Sequence, residues 1–251
     1  MLFHTLYGKM QGNFRVPKKA EEMPVWQELM QKSVITGHTF DRMHLMRPNF
    51  TTQCLSVASA GWKELMPKVF QSEECSDGVM TNQSNVALGM TNGDCPAAIV
   101  YDEDEHRLAL LHCGLKCLVQ PDGGLGILQT FFERHEFNGK TVKVRLAYGI
   151  GPCCYGLDWL PECHINALIS QFPTAAATNG PAVGKKSIDL FSLMRSQLLE
   201  LGLKHSQILR ETKPLCTACA TINGEPAYHS NLYNRESVGR NLVLAWMQPR
   251  K

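Results

Sequence analysis

Two residues with reactive side chains close off a pair of apolar runs: Cys95 stands just before "AAIVYD", and His112 ends "RLALLH", with the acidic stretch Asp102 to His106 between the runs. If the runs pair as an antiparallel hairpin, the residues before Ala97 and after Leu111 meet at the sheet edge opposite the turn. A thiolate and an imidazole are donors that zinc accepts, and a catalytic zinc keeps one position open for water. The same pair also reads as a nucleophilic thiolate and its base. Equally, Cys95 can be a small core residue and His112 a hydrogen-bonded surface group. Asp94 beside Cys95 is a turn residue type, and a carboxylate at a strand edge can also orient a histidine or a substrate hydroxyl.

Other residues carry weaker signals. "GIGPCCYG", Gly149 to Gly156, reads as a tight turn whose amides can face an anion. Its glycines have neither the Walker nor the dinucleotide spacing. Cys216 and Cys219 form a "CTAC" pair, and Cys153, Cys154 and Cys163 lack the spacing of the second pair that a zinc ribbon needs. A redox pair, half of a structural site and two inert thiols all stay open there. Lys185 and Lys186 precede a helix pattern and suit either a phosphate or a solvated loop.

The elements that must position these groups follow from periodicity. Val86 to Thr91, Ala97 to Asp102 and Arg107 to Cys113 are short apolar runs bounded by Gly, Asn, Asp and Glu, the pattern of strands in a sheet core. Thr141 to Gly149 alternates with period two and Asn241 to Met247 is a final apolar run, so both are predicted strands. Asn49 to Trp62 is β-like, and the segment from Glu64 to Gly78 runs through a proline into a polar turn. Helices are predicted over Pro24 to Gln31, over Leu125 to Phe137 with a cap at Asn138 and Gly139, and over Ser187 to Leu201, with Ser187 and Gly202 capping its ends. "PTAAATNGPAVGKK" between the strand and the last helix is long enough for a functional loop. Strands and helices without a strict βαβ repeat predict an α+β or mixed α/β sandwich.

The bulk numbers bound the function. At 251 residues and 44% hydrophobic content the chain can build a substantial core. A charged fraction of 19%, a formal charge of +2 and no long basic run argue against a nucleic-acid partner. No run approaches the ~18 apolar residues of a membrane span, and the first residues lack a secretory h-region. Ten cysteines then imply thiols or metal ligands in a reducing cytoplasm.

Taken together, four blocks resemble a known family. "GMTNGDCPAAIVYDEDEHRLALLHCGLKCL", "GIGPCCYG", "SIDLFSLMRSQLLELGL" and "CTAC" with "YHSN" and "VGR" are similar, in order and spacing over Gly78 to Met247, to the laccase-domain family, the YfiH-like proteins long labelled polyphenol oxidases. The resemblance implies a single α/β domain of the mixed-sheet, multilayer YfiH-like type over residues 1–251, with 1–48 its least defined segment. It implies a zinc site of His, Cys and His, copper in the older family description, beside a purine nucleoside pocket. Phosphorolysis of adenosine, inosine and methylthioadenosine, with phosphate as co-substrate, and adenosine deamination are the activities it implies. By position Cys95 and His112 match two of the ligands, and Lys116 and Arg240 are candidate phosphate or substrate contacts.

The departures define a divergent member. The family's first ligand lies in "QVHG", and the region here reads "TTQCLSVASAGW" without a histidine. Cys54 is a substitute ligand there, and His38 and His44 are further candidates. "GWRG" has become "GLKC", and "SYRR" has become "SNLYNR". Besides the zinc-dependent nucleoside enzyme, two other functions follow: a metal-free cysteine hydrolase or deamidase with Cys95 as nucleophile and His112 as base, and a non-catalytic purine-binding protein.

Overall fold

The runs that are apolar on both sides, such as Ala97–Asp102, are buried at every position, which requires cover on both faces of their sheet. The computed structural model supplies it with two six-stranded mixed sheets packed face to face. It describes residues 2–11, 13–16, 24–31, 40–58, 61–120, 124–135, 137, 140–158, 160–177, 186–210, 216–232 and 239–250. The outer sheet runs in the order Leu2–Tyr7, Asn241–Met247, Val86–Asn92, Arg42–Leu45, Val69–Ser72, Trp62–Met66. The inner sheet runs Ile208–Arg210, Val142–Leu146, Ala97–Asp102, Arg107–His112, Gly78–Thr81, Cys54–Ser56.

Period-two alternation sorts the side chains into three apolar layers. Val79, Ile99, Leu108 and Leu110 of the inner sheet meet Leu88, Met90, Val243 and Ala245 of the outer one. Ala98, Val100, Ala109 and Leu111 point the other way, onto Phe131 of helix Ile127–Arg134 and onto Leu193, Met194 and Leu198 of helix Leu190–Glu200. The far face of the outer sheet, with Met43, Leu45, Leu242 and Leu244, is covered by Phe14, Trp26 and Leu29, the last two from helix Pro24–Gln31. The result is an α/β/β/α sandwich, as the patterning and the family resemblance predict. Truncating a side chain of these layers to Ala costs about 2–5 kcal/mol.

The predicted hairpin forms in register: Ala97 pairs with His112 and Asp102 with Arg107. Several boundaries differ from expectation. The helix predicted from Ser187 starts at Leu190, because Asp189 accepts the Phe191 amide at 3.0 Å, while the Ser187 hydroxyl donates to the Pro152 carbonyl at 2.7 Å. Its C-terminal prediction holds, since Gly202 has φ +88°. The helix predicted over Leu125 to Phe137 contracts to Ile127–Arg134, and its Asn138 and Gly139 cap lies outside the described residues. Trp62–Met66 and Val69–Ser72 pair as a hairpin around Pro67 and Lys68, with Lys68 at φ 70°. The Pro that obscured the pattern there is in the turn.

Candidate active site

Three neighbouring strand ends bring the reactive groups to one rim of the inner sheet. Cys95 precedes strand Ala97–Asp102, His112 ends Arg107–His112, and Asp77 precedes Gly78–Thr81, whose Gly78 pairs with Leu111. The backbone closes the arrangement: the His112 amide donates to the Asp77 carbonyl at 2.7 Å and the Cys113 amide to the Pro96 carbonyl at 2.8 Å.

The imidazole is held from both sides. His112 Nδ1 lies 2.5 Å from Asp77 Oδ1, both groups buried. The carboxylate can only accept, so the proton sits on Nδ1 and Nε2 faces the rim. At that face a side chain on Gly114 would collide with the site, for a Cβ would stand 2.8 Å from Cys95 Sγ and 3.4 Å from His112 Nε2. Gly114 is therefore the floor over which thiol and imidazole converge. Burial alone would press the His112 pKa down, but the charge of Cys95 and hydrogen bonds with Asp77, Cys117 and Cys95 hold it well above the ordinary value.

Asp77 is also the anchor of a loop. Its Oδ2 accepts from the Thr51 amide at 2.6 Å, the Thr51 hydroxyl at 3.0 Å and the Asn49 amide at 3.1 Å. Burial raises its carboxyl pKa, while His112 and the amides of Thr51 and Asn49 outweigh that and leave it lowered. The pinned loop lifts Phe50 to the mouth in a left-handed conformation, φ 56°. Its ring is 51% exposed and centred 5.9 Å from the His112 ring, and the Lys116 ammonium lies 5.5 Å from its centroid.

Most residues singled out from the sequence have a defined place. Arg240 donates to Asn231 Oδ1 at 2.6 Å and to the Gly239 carbonyl at 3.0 Å. Burial and Arg15 lower its pKa, whereas Asp94 and Cys95 act in the opposite sense, so its cation is within electrostatic reach of the site. Asp94 ties loops together. Its Oδ1 accepts from the Thr217 hydroxyl at 2.8 Å and its Oδ2 from the Leu232 amide at 2.9 Å. Cys54 pairs opposite Gly78, itself opposite Leu111, and packs with Leu111 on the helix side of the sheet. Burial pushes its thiol pKa up. His44 is buried between Trp62 and Phe70, with ring centroids 4.6 and 5.0 Å away, in the Arg42–Leu45 strand of the outer sheet. Lys186 reaches Asn166 Oδ1 at 2.5 Å. His38 and Lys185 lie outside the described residues.

Sequence reasoning missed Asp77, Phe50 and Cys117. The Cys117 thiol lies 3.6 Å from both Asp77 Oδ1 and His112 Nδ1, and these three groups bring ligand-type atoms within 4.8 Å of one another. An ion there would have to displace the Nδ1 to Oδ1 hydrogen bond. On the Nε2 side, Cys95 and His112 supply two of the three protein donors of a catalytic zinc. Among the described residues no third His, Cys, Asp or Glu completes a group with them in which all ligand atoms lie within 4.8 Å.

A model of the family described as multi-copper polyphenol oxidoreductase laccase matches residues 13–248. The chain belongs to this family. Within it, the laccase-type chain is 27% identical over 178 residues to purine nucleoside phosphorylase YlmD of Bacillus subtilis, a match covering 70% of this chain and 60% of that protein. It is 23% identical over 179 residues to a purine nucleoside phosphorylase of Corynebacterium glutamicum, covering 70% and 65%. The match thus spans less than two thirds of the length of these curated relatives. In fold, the laccase-type chain is similar to the Bacillus licheniformis hypothetical protein YfiH, with TM-score 0.71 and 20% identity over 94% of this chain and 85% of that one. Geobacillus stearothermophilus YlmD gives TM-score 0.70 and 18% identity, over 99% and 91%. No helix among the described residues is long and apolar enough to cross a membrane.

Proposed function

We propose that this laccase-family chain is an enzyme acting on purine nucleosides, with phosphorolysis of adenosine, inosine or methylthioadenosine as its leading reaction and adenosine deamination as its companion. The observation that carries the reading is the convergence of Cys95 and His112 over Gly114, backed by Asp77. The names of the relatives supply the substrate class.

Phosphorolysis exchanges the bond between the anomeric carbon and the purine nitrogen for one to a phosphate oxygen. The electron pair of the broken bond leaves with the base, which then takes a proton. Asp77 holds the imidazole with Nε2 toward the rim, where it is a metal donor when zinc is bound and the group able to move that proton when it is not. Lys116 and Arg240 would be the cations that hold the phosphate. The exposed Phe50 ring offers a face for the purine. Zinc, the metal that the family resemblance implies, would take Cys95 and His112 as donors and supply a Lewis acid when bound.

A second reading is a metal-free cysteine hydrolase or deamidase. It is favoured by the row of thiol, imidazole and carboxylate formed by Cys95, His112 and Asp77, the arrangement of a nucleophile, its base and the group that orients the base. Chromatography of adenosine and inosine incubated with phosphate and the full chain separates the readings. Free base plus ribose 1-phosphate, lost in Cys95→Ala, supports the first. Nucleosides left intact by a folded, zinc-supplemented protein exclude it. Turnover of an amide substrate, abolished by iodoacetamide in zinc-free protein, establishes the second.

A further inference from the structure

Away from the Cys95 and His112 pair, the fold gathers four thiols that the sequence spacing does not connect. Cys153 and Cys154 lie on the turn after Gly151, and Cys216 and Cys219 lie on a second turn. All four sulfurs are within 4.8 Å of one another, and Cys153 Sγ is 3.6 Å from Cys219 Sγ. We propose that these four cysteines bind one zinc ion as a structural site, separate from the candidate active site.

The distances suit the ion. Zinc–sulfur bonds of about 2.3 Å in a tetrahedron place the sulfurs about 3.8 Å apart, a separation close to the 3.6 Å between Cys153 Sγ and Cys219 Sγ. The chemistry of the donors suits it too. Four thiolates without an oxygen or nitrogen ligand favour zinc over calcium, magnesium or manganese, and a closed set of four is the mark of a structural site, with no position left for water.

Both turns are, in addition, preformed by the backbone. In the first, the Cys154 and Tyr155 amides both donate to the Gly151 carbonyl at 3.0 Å, and in the second the Ala220 amide donates to the Cys216 carbonyl at 2.9 Å. The turns are tied to each other by a bridge between Gly149 and Cys216, with the Thr217 amide donating to the Gly149 carbonyl at 3.1 Å. The Gly151 amide points at Cys216 Sγ at 3.2 Å, the kind of outer contact that steadies a metal-bound thiolate. A side chain at Gly151 would crowd the cluster, since its Cβ would stand 3.2 Å from Cys153 Sγ and 3.3 Å from Cys216 Cβ. Two of the four thiols are buried, Cys154 and Cys216, and two are exposed, Cys153 and Cys219, so an ion can enter from solvent and finish against a protein wall.

The site would also brace the candidate active site. Thr217, inside the second turn, donates to Asp94, and the Ile150 amide next to the first turn donates to the Asp94 carbonyl at 2.7 Å. An ion joining the two turns would thereby fix the segment that carries Cys95.

The test uses the full chain, purified with a thiol reductant and without chelator, and measures metal by mass spectrometry. Cys95→Ser, which removes a donor of the candidate active site, is expected to hold one zinc per chain, reduced about tenfold when Cys153→Ser and Cys219→Ser, whose side chains are both exposed, are added to it. Cobalt replacement of the wild-type protein reads the ligands without any substitution. Intense visible bands and the sulfur-to-cobalt charge transfer of four thiolates are expected, and they persist in Cys95→Ser. Three results overturn the proposal: zinc-free protein that takes up no cobalt, Cys95→Ser protein that holds no metal or that keeps it when Cys153→Ser and Cys219→Ser are added, or a Cys153 to Cys219 disulfide found by mass in place of metal.

Discussion

His112 Nδ1 and Asp77 Oδ1 lie 2.5 Å apart, although the residues come from strand ends separated in the chain by the whole Ala97 to Asp102 and Arg107 to His112 hairpin. That one hydrogen bond sets the tautomer of the imidazole, and the other carboxylate oxygen of Asp77 holds the loop carrying Phe50. Asp77→Asn keeps the shape and removes the charge. Activity is expected to fall about 10–100-fold with the fold retained by circular dichroism. Asp77→Ala strands the buried His112 Nδ1–H and the part-buried donors of Thr51 and Asn49 and should also cost about 3 kcal/mol in urea unfolding.

Gly114→Ala tests the convergence directly. A Cβ 2.8 Å from Cys95 Sγ must displace the thiol. Turnover should drop by at least about 100-fold, the cost of misplacing a reacting group by an ångström, while the rate of Cys95 alkylation changes in the same variant. Unaltered kinetics would show that the thiol is not placed where the reaction occurs.

Phe50 and Lys116 should separate binding from chemistry. If the ring stacks on the purine, Phe50→Ala removes about 1–3 kcal/mol of base contact and raises KM for the nucleoside roughly 5- to 150-fold with little change in kcat. Lys116→Met should act instead on the KM for phosphate. Steady-state kinetics with each substrate varied in turn decides between these outcomes.

His44 gives the fold its own pH dependence. Burial, with Arg42 adding to it, lowers its pKa to about 4, and its ring nitrogens have no hydrogen-bond partner among the described residues. Between about pH 4 and 6.5 the unfolded chain binds a proton at this residue that the folded chain does not, so stability rises with pH across that window and falls as the solution is acidified. The full effect is on the order of 3 kcal/mol. His44→Phe, which suits the space between Trp62 and Phe70, should flatten the pH dependence of the urea midpoint over this range.

What the sequence determined by itself is local. The hairpin and its register follow from two apolar runs and an acidic turn between them, so the meeting of Cys95 and His112 at one sheet edge is already written in the spacing of neighbouring residues. The strands Val86–Asn92 and Asn241–Met247 and the helix Leu190–Glu200 were legible because each carries its own period or cap. Leu2–Tyr7 was not, because its place depends on pairing with Asn241–Met247, a partner from the far end of the chain. The same reason hid Asp77 and the four-cysteine cluster. Asp77 reaches His112 only because Gly78–Thr81 is laid beside Arg107–His112, and Cys153 reaches Cys219 only because Gly149 bridges to Cys216. Periodicity reports which face of an element is buried, whereas the order of strands in a sheet is settled by how all the buried faces pack at once, and that was decided by the tertiary structure alone.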